Sequence, residues 1–131
     1  MILMDMRLRQ RIDIMKEILT KEKALELHRR MWGDMRAELG NNPTYIARTK
    51  FKKKWCAEHG FENVMSNCFL CEYDEQNNGD CNYCLIDWSP LTFDKQPHCY
   101  DLYCTTNGDY RVAWITAPID EILSLPEREG V

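Results

Sequence analysis

Cys68-Phe69-Leu70-Cys71 and Cys81-Asn82-Tyr83-Cys84 are two C-x2-C pairs separated by nine residues. Two residues between cysteines let both thiolates face one tetrahedral ion. Two such knuckles together complete a four-cysteine zinc shell with Zn–S bonds of ~2.3 Å. The intervening EYDEQNNGD is polar and contains Asn78-Gly79, so it turns freely. The expected cofactor is Zn2+, held by Cys68, Cys71, Cys81 and Cys84. Four cysteines leave no open position for substrate, so the ion's expected role is structural. Two other chemistries use the same residue types. Disulfides need an oxidising compartment, and the opening MILMDMRLRQ has no apolar export segment. A redox-active dithiol of the thioredoxin kind begins a helix after a strand in a βαβ unit. The residues around these pairs do not read that way.

A second site, or a replacement ligand for the first, is open to Cys56, His59, His98, Cys99 and Cys104. Cys56 and His59 stand three apart on a predicted helix and can face one way. Cys99 is the candidate to replace one of the first four ligands. The plainer expectation is that Cys56 is a buried helix residue and that Cys99 and Cys104 sit on a hairpin. His28 is expected on the polar flank of its helix, facing solvent. Catalytic signatures are absent: there is no H-E-x-x-H, no G-x-S-x-G and no Walker loop. His59-Gly60-Phe61-Glu62 has the wrong spacing for a zinc deaminase, and neither C-x-x-C follows proline. The expectation is a protein that is not an enzyme. A metalloenzyme or a redox-active dithiol is the last-ranked alternative.

Charge divides the chain. Residues 1–60 carry 14 Lys/Arg against 8 Asp/Glu, a net of +6, and residues 61–131 carry 3 against 13, a net of −10. Arg48, Lys50, Lys53 and Lys54 make a basic stretch able to contact phosphates. Glu72, Asp74, Glu75 and Asp80 crowd the cysteine pairs, and this acidic surface repels a nucleic-acid backbone. It suits a protein partner with a basic groove, such as a nucleic-acid enzyme. Two partners follow: a host protein on the acidic side, or nucleic acid on the basic helix. An exposed apolar face on the helical half would equally serve a homodimer.

Hydrophobic periodicity sets the elements that must position these groups. Leu8, Ile12, Met15 and Leu19 predict a first helix over about 5–19. Thr20 caps a second, whose stripe is Ala24, Leu27, Met31, Met35 and Leu39, with Trp32 at its edge and Gly40 as the stop. Asn42-Pro43 opens a third that runs to His59, with Ala47, Phe51 and Trp55 on one face. Residues 61–109 lack a sustained helical period and hold six of the seven cysteines. Asn107-Gly108 predicts a hairpin over about 99–105 and 110–115. Pro118 starts a short helix bearing Ile119, Ile122 and Leu123, Pro126 ends it, and the last residues are expected to fray. The expected class is α+β: three N-terminal helices packed on a zinc-knuckle, ribbon-like segment, a β-hairpin and a short C-terminal helix. Residues 1–131 read as one domain, with a helical basic subregion over 1–60 and a cysteine-rich acidic one over 61–131. Apolar residues at 44% and charged residues at 29% exclude a wholly disordered chain. No apolar run approaches the ~18 residues of a membrane span.

The run Cys68-Phe69-Leu70-Cys71-Glu72-Tyr73, then Cys81-Asn82-Tyr83-Cys84, then Asp87-Trp88, resembles a family of small cysteine-rich proteins encoded by bacteriophages and prophages. The resemblance covers about residues 68–88. Cys99 matches a later cysteine of that family, and Trp32 a tryptophan of its helical front half. Leu85 departs from its pattern, which has proline there. The resemblance implies a metal-binding accessory protein of a mobile element, working in the cytoplasm of a bacterial host. It implies no reaction. Together these readings point to a non-enzymatic, zinc-stabilised protein that binds and modulates a host protein, with a nucleic-acid-binding regulator as the rival. Trp88 has a plainer role as an aromatic packed over the knuckles.

Overall fold

The computed structural model of the chain describes residues 19–64, 67–77, 84–92, 95, 97, 99–101 and 111–131. The helix expected over 5–19 lies outside them, apart from Leu19, which is buried and donates its N–H to Gln76 Oε1 at 2.9 Å.

Helix α1 is Lys21–Leu39. Thr20 Oγ1 accepts from the Lys23 N–H at 3.1 Å, and Glu22 sits where the helix dipole favours an acid. Gly40 ends the helix at φ 85°, a conformation that costs glycine little. Ala24, Leu27, Met31, Trp32 and Met35 are buried, while Leu39 falls outside the stripe and is exposed. A Cβ at Gly33 would meet nothing within 4 Å. Gly33→Ala is therefore expected to stabilise the fold by about 0.8–1 kcal/mol, read as a higher urea midpoint at unchanged slope.

Helix α2 is Tyr45–Glu58, capped by Thr44, whose Oγ1 accepts from Ala47 N–H at 3.2 Å. The expected Asn42-Pro43 cap therefore shifts toward the C-terminus. The buried face shifts as well. It is Arg48, Lys52, Trp55 and Cys56, with Phe51 only half-buried.

Helix α3, Phe69–Gln76, lies where the sequence has no helical period. Asn67 takes the left-handed conformation at φ 53°, which asparagine tolerates, and turns the chain into the Cys68 cap. Phe69 and Leu70 are buried, so tertiary packing selects this short helix. Helix α4 is Ile119–Leu123. Ile119 and Asp120 donate their N–H groups to the Asn41 backbone and side-chain oxygens, at 2.9 and 2.8 Å. Helix α1 packs against α2, α3 and α4 alike, so it is the axis of the core.

The α+β reading is corrected: the fold is mostly helical and holds no zinc ribbon among the described residues. Strands β1, Tyr100–Asp101, and β2, Arg111–Val112, meet in a two-residue antiparallel pairing, Tyr100 with Val112 and Asp101 with Arg111. Among the described residues that is short of the hairpin expected over about 99–105 and 110–115, whose turn lies outside them. Alternation through Val112 and Trp114 misled because Ala113–Ile115 coils into a 3-10 turn. The turn places the Trp114 ring 6.0 Å from Trp32 and gives the Trp114 carbonyl to Arg48. The last residues do not fray. Asp87 N–H donates to the Pro126 carbonyl at 2.9 Å and Arg128 N–H to the Leu85 carbonyl at 2.8 Å. Among the described residues, no helix is long and apolar enough to cross a membrane.

Candidate metal centre

The residues that begin α3 also begin the site. Cys68 is the N-cap, and its Sγ accepts the Cys71 backbone N–H at 3.2 Å. The pair therefore sits at a helix start, where exposed N–H groups and the helix dipole favour negative charge. Cys84 enters from the segment that pairs with Pro126 and Arg128. Cys99 enters just before β1, brought near by the Trp88 N–H donating to the Pro97 carbonyl at 2.9 Å. Cys68, Cys71, Cys84 and Cys99 line one cavity of about 20 Å³, together with His28, Lys52 and Trp88. That is room for one ion or one water.

The Cys71 thiol donates to the Cys68 sulfur. This holds Cys68 down at about 6, with the Lys52 ammonium helping against burial, and pushes Cys71 far above the ordinary thiol range. Burial and the neighbouring Cys99 and Cys84 raise Cys71 further. No disulfide joins Cys56, Cys68, Cys71, Cys84 or Cys99. Among the described residues no three ligand-type side chains already stand as a metal-binding group, so ligation requires the thiols to close on the cavity. The donor set itself suits zinc, being soft and sulfur-rich.

Three of the four ligands expected from sequence thus meet at one place, and Cys99 joins them. Cys81, His98 and Cys104 lie outside the described residues. Cys56 and His59 do not form the second site suggested by their spacing. Cys56 is fully buried, and burial pushes its thiol up to about 11. His59 turns away and stacks on Trp55 at 3.7 Å between centroids, its Nδ1 2.7 Å from the Trp55 carbonyl. It lines a separate open groove with Asp34, Phe51 and Lys54.

The expectation of a surface His28 is also overturned. The residue is 3% exposed, and its Nε2 has no hydrogen-bond partner. Its position one turn from Ala24 and one turn from Met31 and Trp32 was the available signal. Burial, with Arg29 and Lys52 adding to it, lowers its pKa from 6.5 to about 3. A histidine whose folded pKa is depressed supports the fold above its unfolded pKa. That support is lost as pH falls from 6.5 toward 3. Wild type should therefore lose stability relative to His28→Gln as pH falls through that window. Urea unfolding at pH 6.5, 5.5 and 4.5 reads the difference directly.

The charged surfaces change too. Arg48 is 1% exposed and is no phosphate contact. Its guanidinium donates to the carbonyls of Pro43 (2.9 Å), Trp114 (2.9 Å) and Ala117 (2.6 Å). Lys52 is also buried, with Nζ 3.8 Å from the Trp114 ring centroid. Lys50, Lys53 and Lys54 remain exposed. On the acidic side Glu72 and Asp74 are buried, which removes them from a partner surface. Glu75 is exposed, and Asp80 lies outside the described residues. The sequence reading assigned these residues by charge type alone, and packing took Arg48, Glu72 and Asp74 inside.

No protein-family model, no curated protein and no solved structure matches the chain.

Proposed function

We propose that this chain is a non-enzymatic, zinc-stabilised binding protein of the phage-accessory kind, which docks on and modulates a host protein in the bacterial cytoplasm. The observation that supports it is the cysteine cavity. Thiols from three separate segments line a space the size of one ion, under Trp88 and without room for a substrate. An ion there serves as core for a loop-rich region. The surface left for a partner is the outer face of α2. Ile46, Lys50 and Lys53 follow one another at helical spacing and are exposed, Ile46 at 64%, with Tyr45 beside them. Exposed apolar side chains among lysines favour a protein with an acidic-rimmed apolar patch over a nucleic-acid backbone.

Metal content comes first: native mass spectrometry is expected to find one zinc per chain, lost in Cys68→Ser. Duplex DNA and RNA titrated at 50 and 200 mM salt then address the rival. Tight binding that falls steeply with salt, and vanishes when Lys50, Lys53 and Lys54 become Glu, would replace this proposal with the nucleic-acid regulator. A second reading, the redox-active dithiol, has one observation in its favour: Cys68 caps a helix and takes a hydrogen bond from the Cys71 thiol. A metal-free chain two mass units light would point to an oxidised or redox-active protein instead.

A further inference from the structure

We infer that the zinc shell is Cys68, Cys71, Cys84 and Cys99, with Cys81 outside it. This rests on the zinc reading above and adds to it the identity of the fourth ligand.

The second C-x2-C pair predicts that Cys81 and Cys84 act together. Cys84 and Cys99 share the cavity wall with Cys68 and Cys71, so four thiols line one space. Four is the number a structural zinc takes. The resulting spacing is two, twelve and fourteen residues between successive ligands. Backbone hydrogen bonds bring the two distant ligands in. Leu85 and Asp87 are tied to Arg128 and Pro126, which fixes the approach of Cys84, and Trp88 is tied to Pro97, which fixes that of Cys99.

Three further side chains on that wall fit a tetrathiolate. Zinc with four thiolates carries two net negative charges, which need a cation or N–H donors nearby when buried. The Lys52 ammonium lines the cavity and stands over Trp114, with no carboxylate bonded to it among the described residues. Among the described residues, Trp88 Nε1 and His28 Nε2 are the two buried side-chain nitrogens without a hydrogen-bond partner. Both residues line the cavity. An indole N–H, and an imidazole in its Nε2–H form, are donors suited to sulfur. The orphaned groups thus find their partners when the thiolates close on the ion.

The test uses the full chain loaded with zinc. Native mass spectrometry compares wild type, Cys81→Ser and Cys99→Ser. Wild type and Cys81→Ser are expected to hold one zinc. Cys99→Ser is expected to lose more than about 100-fold in affinity, beyond the range of outer hydrogen-bond partners. Cys99→His, which keeps a ligand, should recover binding and separate lost ligation from misfolding. Iodoacetamide mapping of the wild type needs no variant: Cys81 should be alkylated and Cys99 protected until EDTA is added. Zinc lost from Cys81→Ser but kept by Cys99→Ser, or the opposite protection pattern, overturns the assignment and leaves the zinc reading intact. Wild type without zinc overturns both.

Discussion

Excess EDTA should unfold the region around the cysteine cavity, and equimolar zinc should restore it. Cys68→Ser should reproduce the unfolded state with zinc present. The expected size follows from the sites themselves. Structural zinc contributes an apparent ~10–16 kcal/mol, while whole domains are stable by only about 5–15 kcal/mol. The geometry says where the loss falls. Phe69, Leu70, Leu85, Ile86 and Trp88 are all buried, yet α3 has only eight residues and the segment with Leu85 has a single isolated bridge. Helices that short are marginal alone, so their packing has to be held by something else. Tryptophan fluorescence reads the change, because Trp32, Trp88 and Trp114 all line the cavity. Unchanged fluorescence and unchanged urea midpoint after complete zinc removal would show that the metal is not structural.

Arg48→Met should be the most damaging substitution outside the cysteines. Three backbone carbonyls lose their donor together, those of Pro43, Trp114 and Ala117. Hydrogen bonds to a charged group are worth about 1.5–3 kcal/mol each, and removing one partner of a buried charged cluster costs about 3–5 kcal/mol. A loss of about 3–5 kcal/mol is therefore expected in urea unfolding of the zinc-loaded chain. Arg48→Lys should recover little, since one ammonium cannot reproduce the guanidinium's fork of donors. Lys50→Met, on the exposed face of the same helix, should stay within about 0.5 kcal/mol of wild type. Equal effects at 48 and 50 would remove the structural role given to Arg48. Any loss of partner binding in Arg48→Met then has to be read as lost folding, not as a lost phosphate contact.

The elements of the first half were legible because a long helix writes its buried face into the sequence at 3.6-residue intervals. Thr20, Gly40 and the stripe from Ala24 to Met35 sit as their types and spacing predict. Pro118 likewise marks the start of α4. The cysteine pairs made a metal site the leading expectation, since few other roles place two C-x2-C pairs nine residues apart. Hydrophobic type, capping chemistry and local spacing are properties a residue carries with it.

What the sequence could not decide was which polar residue would be taken inside. Arg48, Glu72 and Asp74 read as surface, because isolated charges stay in water on cost alone. Each is buried here. For Arg48 part of the offset is the Trp114 carbonyl, which a 3-10 turn 66 residues away leaves facing it. For Lys52 part of the offset is the face of Trp114. The same long-range packing recruits Cys99 to the cavity and coils Trp114 out of its expected strand. None of these partners is within a helical turn of the residue it satisfies, and no local pattern records them. The sequence determined that the chain builds helices and gathers thiols. The tertiary structure decided which charges the core could hold and which cysteine stands beside the other three.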